Sequence, residues 1–509
     1  MAFLVGWTGG YVLVATLMAP YLRKFGCYTV PDFIGTRYGG NLVRACSVFV
    51  LFIASFTYVT AQINATGTIA SRALGIPFEA GVWVGLISIL ICSMLGGMRA
   101  VTWTQVAQYI VLIIAYLVPV FWISSNVGGG IFPHLMLGDE VARLGELEQQ
   151  FGLVKNSAAD MKAAGVPGGL KYISGSHSGV PEGGMAVWKY LSLAICMMVG
   201  TASLPHILMR YFTTPSVRAA RKSVAWSLFF IFLLYSSAPM LATLSKLALM
   251  DPNLPTGIIG KSISDVQSIE WVQRWSEVKQ VFIADFNGDG ILQLNEWFMR
   301  GDVVVLATPE VAGLPFVISG LVFAGGMAAA MSTADGLVLA ISNALSHDIY
   351  YKIIDPKADT RKRLLVARVL LVIIGAAGAY IASFRLTSIL GSVAWAFDFA
   401  MSGLFFPLVL GVWWKRATRQ GAIAGIIAGI GSGLFYLLWV FPKFSNAIWG
   451  VTNTPFLGID HLRFGLIGAP ICLVVMVVVS LMTKEPSPTI QKMVDDTRIP
   501  TGKPILGKQ

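Results

Sequence analysis

Residues 328–340 read AAAMSTADGLVLA, and the chain around them, 315–345, is almost entirely small or apolar. Three side chains there can do chemistry: the hydroxyls of Ser332 and Thr333 and the carboxylate of Asp335. A carboxylate at the centre of a membrane helix costs about 3 kcal/mol or more unless water or positive charge meets it. On a helix, Ser332, Asp335, Ser342, Asn343 and Ser346 fall within a sector of about 100°, opposite valine, leucine and isoleucine. Such a stripe faces a cavity or a bundle interior. Hydroxyls, carbonyls and one carboxylate make a hard-oxygen set, suited to sodium or to a relayed proton. A helix–helix hydrogen-bond network around a neutral Asp335 fits the same residues, and the residue types alone leave both readings open.

Asp398, in AWAFDFAMSG, is the second internal acid, without hydroxyls on its near turn. Tyr58 and Gln62 stand at i and i+4 and would point together into a cavity. In GTASLPHILMRYF, residues 200–212, a glycine, a proline and a histidine interrupt an apolar run, which predicts a broken helix. His206 reads there as a satisfied helix-end histidine. A different chemistry stands in DFNGDGILQLNE, residues 285–296. An EF-hand calcium loop needs oxygen ligands at its first, third, fifth, seventh, ninth and twelfth positions and glycine at the sixth. Those places hold Asp285, Asn287, Asp289, the Ile291 carbonyl, Gln293 and Glu296, with Gly290 at the turn. An amphipathic stretch over 266–282 is expected as the entering helix. The reading is a weak, structural Ca2+ site; an Asx-turn loop in an acidic segment is the plainer alternative.

These groups need a scaffold, and composition states its kind. The 509 residues are 55% hydrophobic and 12% charged, with mean hydropathy +0.71, whereas soluble domains carry about 25% charge. The chain therefore reads as an all-α polytopic membrane protein. Apolar stretches of membrane length number about eleven, near 3–21, 44–71, 79–97, 103–124, 187–209, 223–248, 314–345, 364–384, 388–412, 420–440 and 463–482. The net charge of +11 does not point to nucleic acid, because the bases lie in short clusters between apolar runs. One set of loops carries Arg23, Lys24, Arg37 and Arg44, then Arg99, then bases at 210–222, 352–363 and 415–419, and closes with the tail. By the positive-inside rule this set is cytoplasmic, residue 1 lies outside and residue 509 inside, which fits an odd number of spans. The expected organisation is a transmembrane domain over 1–482, an extracytoplasmic insertion over 249–313 holding the calcium loop, another long outer loop over 125–186, and a cytoplasmic tail over 483–509. Five cysteines without CxxC spacing read as packing residues. No nucleophile–base pairing suggests an enzyme.

The stretches GGMRAVTWTQVAQ (96–108), GTASLPHILMRYFT (200–213), AAAMSTADGLVLAISNALSHDIY (328–350) and FPLVLGVWWKR (406–416) resemble the sodium:solute symporter family. The resemblance runs nearly end to end and is closest to the bacterial acetate-like branch, including a subgroup with an EF-hand-like outer loop. It implies a LeuT-like inverted-repeat fold in the bacterial inner membrane, with ion and solute sites at mid-membrane. It also implies a sodium site made of the Ala329 carbonyl, Ser332 and Thr333 on the eighth core helix. Some relatives bind a second sodium one turn further on, completed by the aspartate of a WTD motif. Here that motif reads Trp103-Thr104-Gln105. Asp335 stands where the second ion's helix-eight ligand falls, which we read as a carboxylate relocated from position 105 to position 335. MAFLVGWTGGYVLVATLMAPYLRKFG matches the family's second core helix, so the peripheral helix and the first core helix are expected to lie outside this chain. A start placed at an internal methionine is the favoured account; the others are a partner, such as a small membrane subunit, that supplies those helices, or an inactive product.

The leading expectation is a secondary active transporter, with Na+ flow driving uptake of a small organic solute such as a monocarboxylate, acetate among them. Tyr58, Gln62, Gln105 and Asp398 are its candidate solute or ion-pathway residues, and Ca2+ is structural. The alternative is a calcium-responsive membrane sensor or regulatory subunit with a degenerate transport core. The retained Ser332, Thr333 and Asp335 count against it.

Overall fold

In lipid, a chain of this hydropathy must satisfy its backbone within helices. The computed structural model, which describes residues 1–127, 130, 132–151, 158–166, 171–172, 184–499 and 504–506, is a helical bundle. Helix α1 (Ala2–Leu13) passes through a π-helical turn, Val14–Met18, into Ala19–Phe25, and is followed by α2 (Asn41–Leu74) and α3 (Phe78–Val127). Helices α4 (Gly184–Ser203) and α5 (Pro205–Phe212) are halves of one broken span, and Val217–Met250 forms the next. Helix α6 (Phe316–Asn343) runs into a π-helical end, Ala344–Ile354; α7 (Thr360–Ser383), α8 (Ile389–Gly403), α9 (Arg419–Val440) and α10 (Gly465–Met482) complete the bundle. Among the described residues ten helices are long and apolar enough to cross a membrane, and Phe78–Met94 is a shorter apolar helix at the remaining expected place.

Two breaks position the functional side chains. Leu204 is extended (φ −69, ψ 120) before Pro205, which has no N–H to continue the helix, so α5 restarts at a new angle. The second is in α3, where the expected spans 79–97 and 103–124 join in one helical element. Ser93 bonds Asp335, and Gln105 bonds the Ser332 carbonyl, so both reach one turn of α6. On a straight helix residues 93 and 105 would stand about 18 Å apart. Helix α3 therefore bends between them, and both arms pack on α6. Gly325 permits the approach, since a methyl there would lie 2.3 Å from the Ala115 Cβ.

The largest core gathers α1, α4, α5, α8, α9 and α10 around residues such as Met18, Leu204, Phe397 and Phe464. A second core runs from Val120 and Val322 in the bundle to Trp275 and Trp297 in the insertion, so the insertion is seated on the helices. A small antiparallel sheet joins it to the other long loop: β1 (Lys171–Tyr172), from the loop 125–186, and β2 (Val281–Ile283) flank β3 (Trp297–Met299). The entering helix expected over 266–282 does not form as one element. Ile263–Ser268 and Glu270–Glu277 are separated by extended Ile269, Lys279 turns to φ +56, and β2 follows. The two short helices each turn their apolar residues inward, Val266 from one and Val272 and Trp275 from the other, and strands carry the loop 285–296 instead. Of the loop expected over 125–186, Pro133–Phe151 is a helix, and much of the remainder lies outside the described residues.

Candidate ion and solute site

The restart at Pro205 sets His206 and Arg210, at i and i+4, on one face of α5. That face borders a cavity of about 710 Å³. Opposite it stand Trp7 and Tyr11 from α1, Gln105 and Tyr109 from α3, and Ser332 and Thr333 from α6; Tyr58 and Phe397 close one end. Among the described lining residues Arg210 carries the one fixed charge, and no carboxylate is present.

A chain of hydrogen bonds crosses the cavity wall. Arg210 Nη1 donates to Gln105 Oε1 at 2.5 Å, and Gln105 Nε2 donates to the Ser332 carbonyl at 2.6 Å. The Thr333 hydroxyl donates to the Ala329 carbonyl at 3.2 Å, which places these two oxygens side by side on the residue next to Ser332 and the turn before it. Ala329 itself borders a separate, mostly apolar recess of about 180 Å³.

Asp335 is not on the cavity wall. It is wholly buried, its Oδ1 accepts from the Ser93 hydroxyl at 2.7 Å, and the Gln108 side chain is its other polar neighbour on α3. The polar stripe expected to face one cavity is therefore divided among neighbours. Ser332 meets the cavity, Asp335 meets α3, and the Ser342 hydroxyl donates to the Ala367 carbonyl of α7 at 2.9 Å. The cause is that a sector of about 100° on a packed helix touches more than one other helix. Arg210 and Gln105 nonetheless come close in space to the residue after Asp335: a methyl at Gly336 would lie 3.0 Å from Arg210 Nη2 and 3.7 Å from Gln105 Nε2.

Tyr58 also borders a second cavity, of about 370 Å³, toward the insertion end, and Gln62 borders only that one. Trp7 and Tyr58 belong to both walls. Tyr58 packs on His206 and Phe397 with ring centroids 5.6 and 5.7 Å apart, and Trp7 on Phe397 at 6.1 Å, forming an aromatic layer between the two spaces. Asp398 is turned away from both. It is wholly buried against the start of α10, where a methyl at Gly465 would meet its Oδ1 at 2.8 Å, and a helix N-terminus favours a carboxylate there. The structure thus gathers Tyr58, Gln105, Ser332 and Thr333 on one cavity and leaves Gln62, Ala329, Asp335 and Asp398 off it.

Two groups escape the sequence reading. Arg210 counts there among the loop bases, and only its i+4 spacing from His206 signals otherwise. Arg44 bridges Asp32 and Asp348 at 2.9 and 2.8 Å, and the Thr29 hydroxyl donates to Asp348 at 2.6 Å, which clasps α2 to the end of α6. Asp32, His347 and Asp348 lie within reach of a common metal ion, but Arg44 already supplies their positive charge.

In the loop 285–296, Asp285 accepts from the N–H groups of Gly288 and Gly290 at 2.7 and 3.1 Å. Asp289 accepts from the Ile291 N–H at 2.8 Å, which holds its carboxyl below the usual range. Asn287 and Gln293 donate side-chain N–H groups to Asp289 at 2.8 and 3.0 Å. Buried Glu296 accepts from the Phe286 and Gln293 N–H groups at 2.8 and 2.9 Å, closing the loop. Gly290 has φ +70, a conformation that glycine takes without strain.

Known proteins resemble this chain in sequence and in fold. The model of the sodium:solute symporter family matches residues 1–262 and 304–429, so the loop 285–296 falls between the matched stretches. An uncharacterized symporter of Cupriavidus necator is 38% identical over 98% of this chain and 84% of its own length. A monocarboxylic acid transporter of Corynebacterium glutamicum is 24% identical over 87% of this chain and 71% of its own. The solved structure of a substrate-bound, outward-open Na+-coupled sialic acid symporter superposes with a TM-score of 0.60 at 16% identity, over 96% of this chain and 84% of that one.

Proposed function

The chain belongs to the sodium:solute symporter family and has its all-α, inverted-repeat transporter fold, and from that premise we propose that it couples inward Na+ movement to uptake of a short monocarboxylate such as acetate. One observation carries the choice of solute. Arg210 is the fixed charge on a cavity that also presents Ser332 and Thr333 and, among the described lining residues, no acid. A guanidinium recognises a carboxylate through paired N–H donors. The Ala329 carbonyl and the Ser332 and Thr333 hydroxyls are the proposed Na+ ligands. Asp335, buried behind the same turn, supplies negative field rather than a direct ligand.

This arrangement accounts for coupling by electrostatics. A carboxylate and a sodium ion about 6 Å apart attract by about 3 kcal/mol at an effective dielectric near 20. By linkage each then tightens the other by the same factor, about 100-fold. Gln105 borders both sites, bonding Arg210 on one side and the Ser332 carbonyl on the other, so the solute competes with this amide for Arg210 while the amide stays anchored to the backbone beside the ion. The basic loops are proposed to be cytoplasmic and the insertion external. The names of the relatives favour transport over a sensor.

The test is uptake of labelled acetate into proteoliposomes, with acetamide as the neutral isostere. The expected result is sodium-driven acetate uptake, no acetamide uptake, and loss of acetate affinity in Arg210→Gln. Equal handling of the acid and the amide would dismiss the anion reading.

A second reading concerns the insertion. We infer that Asp285, Asn287, Asp289, the Ile291 carbonyl, Gln293 and Glu296 hold Ca2+ as a structural ion. Buried Glu296, which reaches both sides of the loop, supports it.

A further inference from the structure

A recess of about 160 Å³ lies apart from both cavities, between α2, α7 and α8 near the insertion. Arg385 is the one charged group among its described lining residues. It follows α7 with φ +43, a conformation uncommon for a residue with a side chain. Its guanidinium lies over the Phe78 ring at 3.4 Å from the centroid, and its Nε and Nη2 are buried without a hydrogen-bond partner among the described residues. Burial, and then neighbouring Arg300, pushes this guanidinium down to about 10, so it stays charged at neutral pH.

A buried donor left without an acceptor costs about 1–3 kcal/mol, more when charged. Nη1, the remaining guanidinium nitrogen, is not enclosed in this way and makes no hydrogen bond among the described residues, so it is the donor through which Arg385 can meet an acceptor in the recess. The other walls fit one kind of acceptor. The Thr57 and Thr60 hydroxyls are committed to the Ile53 and Thr57 carbonyls. The Asn64 amide and the Ser392 hydroxyl, by contrast, make no side-chain hydrogen bond among the described residues and border the recess. Phe56 and Trp395 supply an apolar wall, and Trp395 is fixed by its Nε1–H donating to His461 Nδ1 at 3.1 Å. The charge balance nearby is mixed: Arg300 faces Arg385 with Asp302 and Glu79, and Lys443 binds the Leu386 carbonyl at 2.8 Å.

We propose that this recess is a second anion site, binding a small monocarboxylate with its carboxylate on Arg385, Asn64 and Ser392 and its alkyl end against Phe56 and Trp395. The space suits acetate or propionate. It is separate from the Arg210 cavity and stands whether or not Arg210 holds the transported solute.

The experiment is equilibrium binding of labelled acetate to the full chain in nanodiscs. The expected stoichiometry is two acetates per chain, with one lost in Arg385→Gln and the other lost in Arg210→Gln. Arg385→Lys keeps the charge that the fold experiences but removes the planar fork, and it should weaken one class of acetate at least tenfold. Propionate should displace that class, and acetamide should not. Loss of one acetate in the Arg385 variants but of none in Arg210→Gln would sustain this site and overturn the Arg210 reading instead. Unchanged acetate affinity in Arg385→Lys, equal stoichiometry in Arg385→Gln and wild type, or displacement by acetamide as effective as by propionate would each overturn the proposal.

Discussion

Replacing Gln105 by glutamate would turn an amide relay into an ion pair. Gln105 accepts from Arg210 at 2.5 Å and donates to the Ser332 carbonyl at 2.6 Å. A carboxylate of the same length keeps the first contact and makes it charge-assisted. It cannot donate to the second, so two oxygens would face each other there unless a cation or a proton lies between. Two effects of opposite sign follow. Arg210, satisfied within the protein, is withdrawn from the solute, and a hydrogen bond to a charged group is worth about 1.5–3 kcal/mol. Half-saturating acetate should therefore rise by about 10- to 150-fold. Sodium, in contrast, gains a carboxylate beside Ser332 and Thr333, so half-saturating sodium should fall. Asp335 on the adjoining turn repels the new charge, and one of the two carboxylates should take up a proton. The gain for sodium should consequently grow with pH. The assay is acetate uptake into proteoliposomes over a grid of sodium and acetate concentrations, in the single variants and in Gln105→Glu combined with Arg210→Gln. Because both residues act on one solute contact, the double change should cost much less than the sum. An unchanged acetate requirement in Gln105→Glu, or strict additivity, would refute the reasoning.

Three further outcomes are expected. Ser332→Ala and Thr333→Ala should each raise half-saturating sodium several-fold, since each leaves a desolvated ion short of an oxygen; unchanged sodium dependence in both would remove the site. Arg44→Ala should lower thermal stability strongly, because it leaves wholly buried Asp348 beside Asp32 without their cation, and breaking a buried pair costs about 3–5 kcal/mol. A melting temperature equal to wild type would contradict that. Calcium should protect 266–300 from proteolysis, and Asp285→Ala or Glu296→Ala should abolish the protection; equal digestion with calcium and with chelator would sink the calcium reading.

The membrane helices were legible because hydropathy over a membrane length is decided residue by residue, and the expected spans match the ten long helices together with Phe78–Met94. The break at Pro205 was legible for an equally local reason, the missing N–H. What packing decides was not. The bend in α3 shows only through the contacts of Ser93 and Gln105, which hydropathy does not encode. Helical phase put Ser332 and Asp335 on one stripe, but phase does not state which neighbour each part of the stripe meets. Arg210 resembled the bases at 218–222 because position in the sequence conceals whether a base ends a helix in solvent or in a cavity. The entering helix failed for lack of a break signal: no glycine or proline at 269 or 279 announces the extended Ile269 and the positive φ of Lys279 at which the chain turns.

The central claim is that an anion at Arg210 and a sodium ion at Ser332 and Thr333 move together. Parallel measurement of labelled sodium and labelled acetate entry into the same proteoliposomes tests it most directly. The account predicts a fixed ratio of the two fluxes at every acetate concentration, each flux stimulated by the other substrate, and both lost together in Ser332→Ala combined with Thr333→Ala. Acetate entry that proceeds at full rate without sodium, or sodium entry indifferent to acetate, would contradict it.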